Sequence, residues 1–250
     1  MLAVIRSEWV KTRSTRATMW TVSLTLLLTT AMAGLLGFAW RSSDMAKDES
    51  AMRFAGFYPL TLGQMFLVVF AILLIGSEFS SGSIRSSLIA VPKRGRYFAG
   101  KFVSAGLVLL VVAVATVALS QVAVQLALGD YAVSIDDSEL RLAVLGACAY
   151  LPLIGLFAMG LTALLRSSIG ALAILMPLLF LNSQGFGNIP YVKEVAQYLP
   201  DNAGQSLMRM VPETGRFSHD YGPLGALFIL LAWTAAAVIG GYLVTRRKEA

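Results

Sequence analysis

Gly95-Arg96-Tyr97-Phe98-Ala99-Gly100-Lys101 reproduces the first seven positions of the phosphate-cradling G-x-x-x-x-G-K loop. That chemistry needs a Ser or Thr next, to hold Mg²⁺, and a buried strand before the loop. Here Phe102 follows and Pro92-Lys93 precede, so Lys101 reads as an anchor at a membrane interface. The single histidine, His219, stands beside Ser218, with no H-E-x-x-H or G-x-S-x-G arrangement in the chain. Adjacency supplies neither the orienting acid nor the oxyanion donors of a hydrolytic site. Cys148 is the only cysteine, which removes intrachain disulfides and cysteine metal sites. The chain is expected to hold no metal or cofactor and not to be an enzyme.

The remaining chemistry lies in neutral polar residues within apolar runs: Thr61 and Gln64, then Ser120, Gln121 and Gln125, then Asn182 and Gln184. Amides and hydroxyls at such depth bond across helices or line a pathway. Thr61, Gln64, Gln121, Gln125 and Asn182 are the pathway candidates, with helix packing as the other role open to them. Ion-coupled transport places an ionisable group inside the bundle, and the runs contain none.

Hydrophobic residues make up 57% of the chain and charged residues 14%, with mean hydropathy +0.72, too apolar for a domain whose whole surface meets water. A spanning helix needs about 20 apolar residues to cross roughly 30 Å of hydrocarbon. Six runs free of Asp, Glu, Lys, Arg and His qualify, at 17–39, 57–76, 102–128, 142–165, 169–184 and 223–245. The fifth is shortest and carries Pro177, so a kink or an early stop is open there. The expected fold is all-α and polytopic: one transmembrane domain of six spans over 17–250, preceded by an interfacial amphipathic helix over 1–16.

With the N-terminus inside, 13 of the 20 basic residues fall on the cytoplasmic side, and 11 of the 14 acidic residues fall outside. The positive-inside rule therefore puts both termini in the cytoplasm of a multi-pass inner-membrane protein. The net charge of +6 comes from residues flanking the spans, where they meet lipid headgroups, so no nucleic-acid partner is expected. Ala31-Met32-Ala33 has the form of a signal cleavage site, but its apolar run exceeds the 7 to 15 residues of a signal core and ends at Trp40, an interface anchor.

Two connections are long. The cytoplasmic one, 77–101, places Ile84, Leu88 and Val91 at helical spacing before Pro92, which suits a short amphipathic helix able to dock on a partner. The outer one, 185–222, is expected to hold short helices on the outer face at about 191–198 and 202–211, the second capped by Asp201 or Asn202. Ala236, Ala237, Gly240 and Gly241 allow close helix approach, within the chain or between chains.

Gly76-Ser77-Glu78-Phe79-Ser80-Ser81-Gly82-Ser83-Ile84-Arg85 is similar to the G-x-E-[YF]-x-x-G-[ST]-[IL]-[RK] segment of type-2 ABC exporter membrane subunits, and the basic Pro92-Lys93-Arg94 follows it. Tyr198-Leu199-Pro200-Asp201-Asn202-Ala203-Gly204 resembles the family's Leu-Pro and small-polar segment before the last span. The resemblance implies a permease subunit of an ATP-driven exporter. It would pair with a second copy of itself or a homologous permease, and bind two copies of a cytoplasmic ABC ATPase that carries the ATP and Mg²⁺. It makes Glu78, Phe79, Gly82, Ile84 and Arg85 the coupling candidates, although Glu78 and Arg85 also fit an ordinary solvated pair. An uncharged interior suggests an amphipathic or apolar substrate such as a drug, antibiotic or lipid. A non-transporting membrane scaffold or sensor component is the alternative.

Overall fold

In the computed structural model, residues 16–43, 52, 55–81, 94–134, 136–183, 189, 191–210 and 218–248 are described. Among them the chain is all-helical, with no strand. The helices are α1 (Arg16–Arg41), α2 (Tyr58–Ser81, entered through a 3₁₀ turn at Ala55–Phe57), α3 (Arg94–Leu128), α4 (Ser138–Leu165), α5 (Ser168–Ser183), α6 (Lys193–Ala196), α7 (Pro200–Leu207) and α8 (Pro223–Lys248). Residues 1–15 of the expected 1–16 helix and most of the 40–56 connection lie outside the described residues, and Arg16 opens α1.

Five stretches, Arg16–Arg41, Ala55–Phe79, Tyr97–Tyr131, Ser138–Leu165 and Pro223–Arg247, are long and apolar enough to cross a membrane. At 1.5 Å per residue the 26 residues of α1 reach about 39 Å. The 16 residues of α5 reach about 24 Å, short of a roughly 30 Å hydrocarbon core. Pro177 sits inside α5, which stays one helix.

Close approaches fix the order of the bundle. Trp40 meets Tyr58 edge-on at 5.4 Å and Gly63 lies against Thr29, so α1 and α2 run antiparallel, while Gly37 against Val124 and Ala127 sets α1 parallel to α3. Gly160 against Ala237 and Gly241 against Ala163 set α4 parallel to α8. These last contacts spend Ala237 and Gly241 on packing within the chain. The start of α1, the end of α2, the start of α3, the α4–α5 turn and the end of α8 gather at one end of the bundle, called here the Glu78 end. The opposite end, the Asp201 end, holds α6 and α7.

The core runs through Leu67, Phe70, Leu109, Ile154 and Met159, all buried. Trp20, Leu27, Leu35 and Phe38 of α1 and Leu224 and Phe228 of α8 face outward. Large apolar residues on the outside of an apolar bundle face lipid.

The connection between α2 and α3 is shorter than the sequence suggests, and the helices within the 185–222 connection are shorter too. Helix α2 continues to Ser81 and α3 begins at Arg94, so the expected 77–101 loop loses residues to both helices and Gly95–Lys101 is helical. A helix cannot curl its amides around a phosphate as a loop does, which removes the phosphate-loop reading on geometry. The expected outer helices contract to Lys193–Ala196 and Pro200–Leu207, and neither Asp201 nor Asn202 caps α7. Leu199 holds the N-cap position without a side-chain bond, and Pro200 begins the helix, where its missing N–H costs nothing.

Candidate functional site

At the Glu78 end, α2 and α3 are joined by a buried charged cluster. Lys101 Nζ lies 2.9 Å from Glu78 Oε1, and the Tyr97 hydroxyl donates to Glu78 Oε2 at 2.6 Å. Glu78 is 6% exposed, Lys101 3% and Tyr97 5%. Tyr97 and Lys101 are four apart on α3, one turn above one another, and so reach the same carboxylate. A buried carboxylate persists when its counter-charge and hydrogen bonds replace water. The expectation of a solvated Glu78 is corrected, since its carboxylate is out of water and engaged with Lys101 and Tyr97; Arg85, the other half of the expected pair, lies outside the described residues.

Around the cluster, Phe98 stacks on Phe102 with centroids 4.5 Å apart and meets Tyr242 of α8 at 5.4 Å. Helix α4 ends at Arg166, in the left-handed region at φ 56°, and its guanidinium lies over the Phe79 ring, 5.6 Å from the centroid. Ser167 Oγ accepts from Gly170 N at 3.0 Å and so caps α5. Ser168 lies against Gly76, where a Cβ would collide with its hydroxyl. Of the five coupling candidates, Glu78 and Phe79 thus belong to this packed end; Gly82, Ile84 and Arg85 lie outside the described residues.

The pathway candidates scatter. Gln64 of α2, 1% exposed, donates from Nε2 to Asp201 Oδ1 at 2.8 Å. The Tyr150 hydroxyl of α4 lies 2.8 Å from the same oxygen and makes a short contact with Gln64 Oε1. Asp201, 2% exposed, comes from α7, so the segment between α5 and α8 enters the bundle rather than lying on its face. Trp233, ten residues into α8, donates to Tyr198 O at 2.8 Å, which sets that segment about 15 Å along α8 from Pro223. Gly146 and Gly204 permit the insertion: a Cβ at Gly146 would strike the Leu207 carbonyl, and one at Gly204 the Tyr150 ring. The charge-free interior expected from the runs is corrected accordingly: Asp201, Glu78 and Lys101 are all buried.

The other candidates are in different places. Thr61 Oγ1 bonds back to Tyr58 O at 2.7 Å within its own helix. Gln125 Oε1 accepts from Val133 N at 2.9 Å. Both polar atoms of Gln121 are buried without a hydrogen-bond partner among the described residues, its amide pressed against Gly56, while Ser120 donates to Gly56 O at 2.7 Å. Of Asn182 only the helical backbone is described.

The histidine also has a different neighbour. His219 Nδ1 pairs with Ser206 Oγ at 2.7 Å, not with the adjacent Ser218. Burial, then Lys193, pull its pKa below the usual histidine value, against the opposing pull of Asp220. Burial pushes the Tyr221 hydroxyl up to about 12. The Asp220 amide donates to Gln197 Oε1 at 3.0 Å and its carboxylate accepts from Gln197 Nε2, so the acid is committed to Gln197. Among the described residues no group of three or more metal-ligating side chains forms.

These features define a polytopic helical membrane protein with a charged joint near one end and a polar tie at the other. No protein-family model matches the sequence and no curated protein is detectably similar to it.

Proposed function

We propose that the chain is the membrane permease subunit of an ATP-driven exporter of the type-2 ABC class, oriented with both termini in the cytoplasm. The observation that carries the reading is positional. The Gly76–Arg85 segment, where the exporter resemblance is concentrated, closes α2 and leads into the connection to α3, at the end of the bundle where α1 begins and α8 finishes. A connection in that place, flanked by basic residues, faces the compartment that holds ATP. ATP and Mg²⁺ belong to a separate ATPase, two copies of which work with a pair of permeases. The transported molecule is amphipathic or apolar, crossing the inner membrane along a surface built of apolar spans.

Glu78 in this reading is an anchor of the connection rather than a direct contact, because it is buried; Ile84 and Arg85 are the contact residues. The test is co-expression with a neighbouring ABC ATPase, purification in lipid nanodiscs, and Mg-ATP turnover for wild type, Ile84→Asp and Arg85→Ala. Stimulation lost on substitution with the complex intact supports the reading. If no ATPase co-purifies, or both variants turn over ATP like wild type, the exporter assignment is wrong and a scaffold role takes its place.

A further inference from the structure

Helices α2 and α3 are consecutive in the chain, yet they touch one another little along their length; α1 packs extensively against both. A force on the 82–93 connection would therefore tend to spread the ends of α2 and α3 apart. What opposes this is the joint already described: Lys101 against Glu78 at 2.9 Å and the Tyr97 hydroxyl on the other carboxylate oxygen at 2.6 Å. The two bonds leave from successive turns of α3 and grip both oxygens of one group on α2. They resist sliding along the helix axes as well as separation, because a buried ion pair that parts exposes two charges to a medium of low polarity.

We infer that Lys101 and Tyr97 are positioning residues of energy coupling: through Glu78 they make α2 and α3 move as one lever when the connection between them is pushed. The inference rests on the permease reading and extends it, since neither residue belongs to the segment that resembles the exporters. Lys101→Met removes the counter-charge, Tyr97→Phe removes the second bond, the exchange Glu78→Lys with Lys101→Glu rebuilds the pair in reverse, and the apolar pair Glu78→Leu with Lys101→Met fills the space without directional bonds.

Two measurements test it. The first is Mg-ATP turnover of the nanodisc complex relative to the isolated ATPase. Lys101→Met is expected to lose at least fivefold of the stimulation with the complex assembled, Tyr97→Phe about twofold, and the charge exchange to return within twofold of wild type. The apolar pair is expected to assemble and remain uncoupled, which a merely structural role would not produce. The second needs no ATPase: spin labels at Ser77→Cys and Ala99→Cys, both exposed positions, in a Cys148→Ala background. Their distance distribution is expected to broaden in Lys101→Met and to narrow again in the charge exchange. Unchanged label distances in Lys101→Met, or stimulation within twofold of wild type in that variant or in the apolar pair, would overturn the lever. Failure of any ATPase to assemble overturns the permease reading and the coupling role with it, while the label distances still decide whether α2 and α3 are clamped.

Discussion

The two ends of the bundle bury a carboxylate by different means. At the Glu78 end the acid has a lysine at 2.9 Å and a phenol at 2.6 Å, and it joins two helices adjacent in the chain. At the Asp201 end one carboxylate oxygen is met by an amide and a phenol, both neutral, from residues 137 and 51 positions away in sequence. The first is a local joint between consecutive helices. The second is a long-range tie that draws α7 into the space beside α2 and α4. A charged joint costs most when half of it is removed, because the surviving charge stays buried; a tie to neutral donors loses hydrogen bonds and leaves polar atoms that find other partners more cheaply.

That contrast sets the size of the expected effects. Lys101→Met is expected to cost about 3 to 5 kcal/mol of stability, and Glu78→Leu with Lys101→Met to recover most of it, since replacing both partners of a buried pair by apolar groups is close to neutral. Thermal melts in lipid nanodiscs read this directly, and a double variant as unstable as the single one would show that the joint is not a simple pair. At the other end, Gln64→Leu is expected to cost roughly 1 to 3 kcal/mol, the usual range for leaving buried hydrogen-bonding groups unmatched. Its diagnostic sign is faster hydrogen exchange in α7 than in α3; equal acceleration in both would break the assignment of Gln64 to α7.

The smallest effect is expected at His219, and it runs with pH. The folded state holds its pKa below 6.5, so below that pH the unlocked segment takes up protons more readily than the packed one, and packing weakens as pH falls. Lys193 opposes protonation and Asp220 favours it, and Ser206 is the hydroxyl that faces the ring. Protection of residues 196–207, taken relative to the intrinsic amide exchange rate at each pH, is expected to fall modestly between pH 7 and pH 5.5 in wild type and to lose that dependence in His219→Asn. A pH response that survives the substitution would assign it to another group.

Residue types in local order made much of the fold legible. Apolar runs of spanning length marked α1, α2, α3, α4 and α8, and the 169–184 run marked α5 to within a residue at each end. The same local reading misplaced the charged clusters, because it treated any Lys or Glu as the boundary of a span. Helix α3 begins eight residues before the expected start and carries Tyr97 and Lys101 inward with it. The spacing was the available signal: Tyr97 and Lys101 lie four apart, immediately before an apolar run, with an acidic residue closing the preceding span.

The sequence by itself determined that the chain is a set of apolar helices, since backbone groups in hydrocarbon must pair within a helix and side-chain hydrophobicity is read residue by residue. Tertiary structure alone decided which polar residues meet. Gln64, Tyr150 and Asp201 carry no mutual periodicity, and their junction depends on Gly146 and Gly204 letting one short helix approach α4 closely enough to deliver a carboxylate. Such a contact is set by how helices pack in three dimensions, and no local property of any of its residues encodes it.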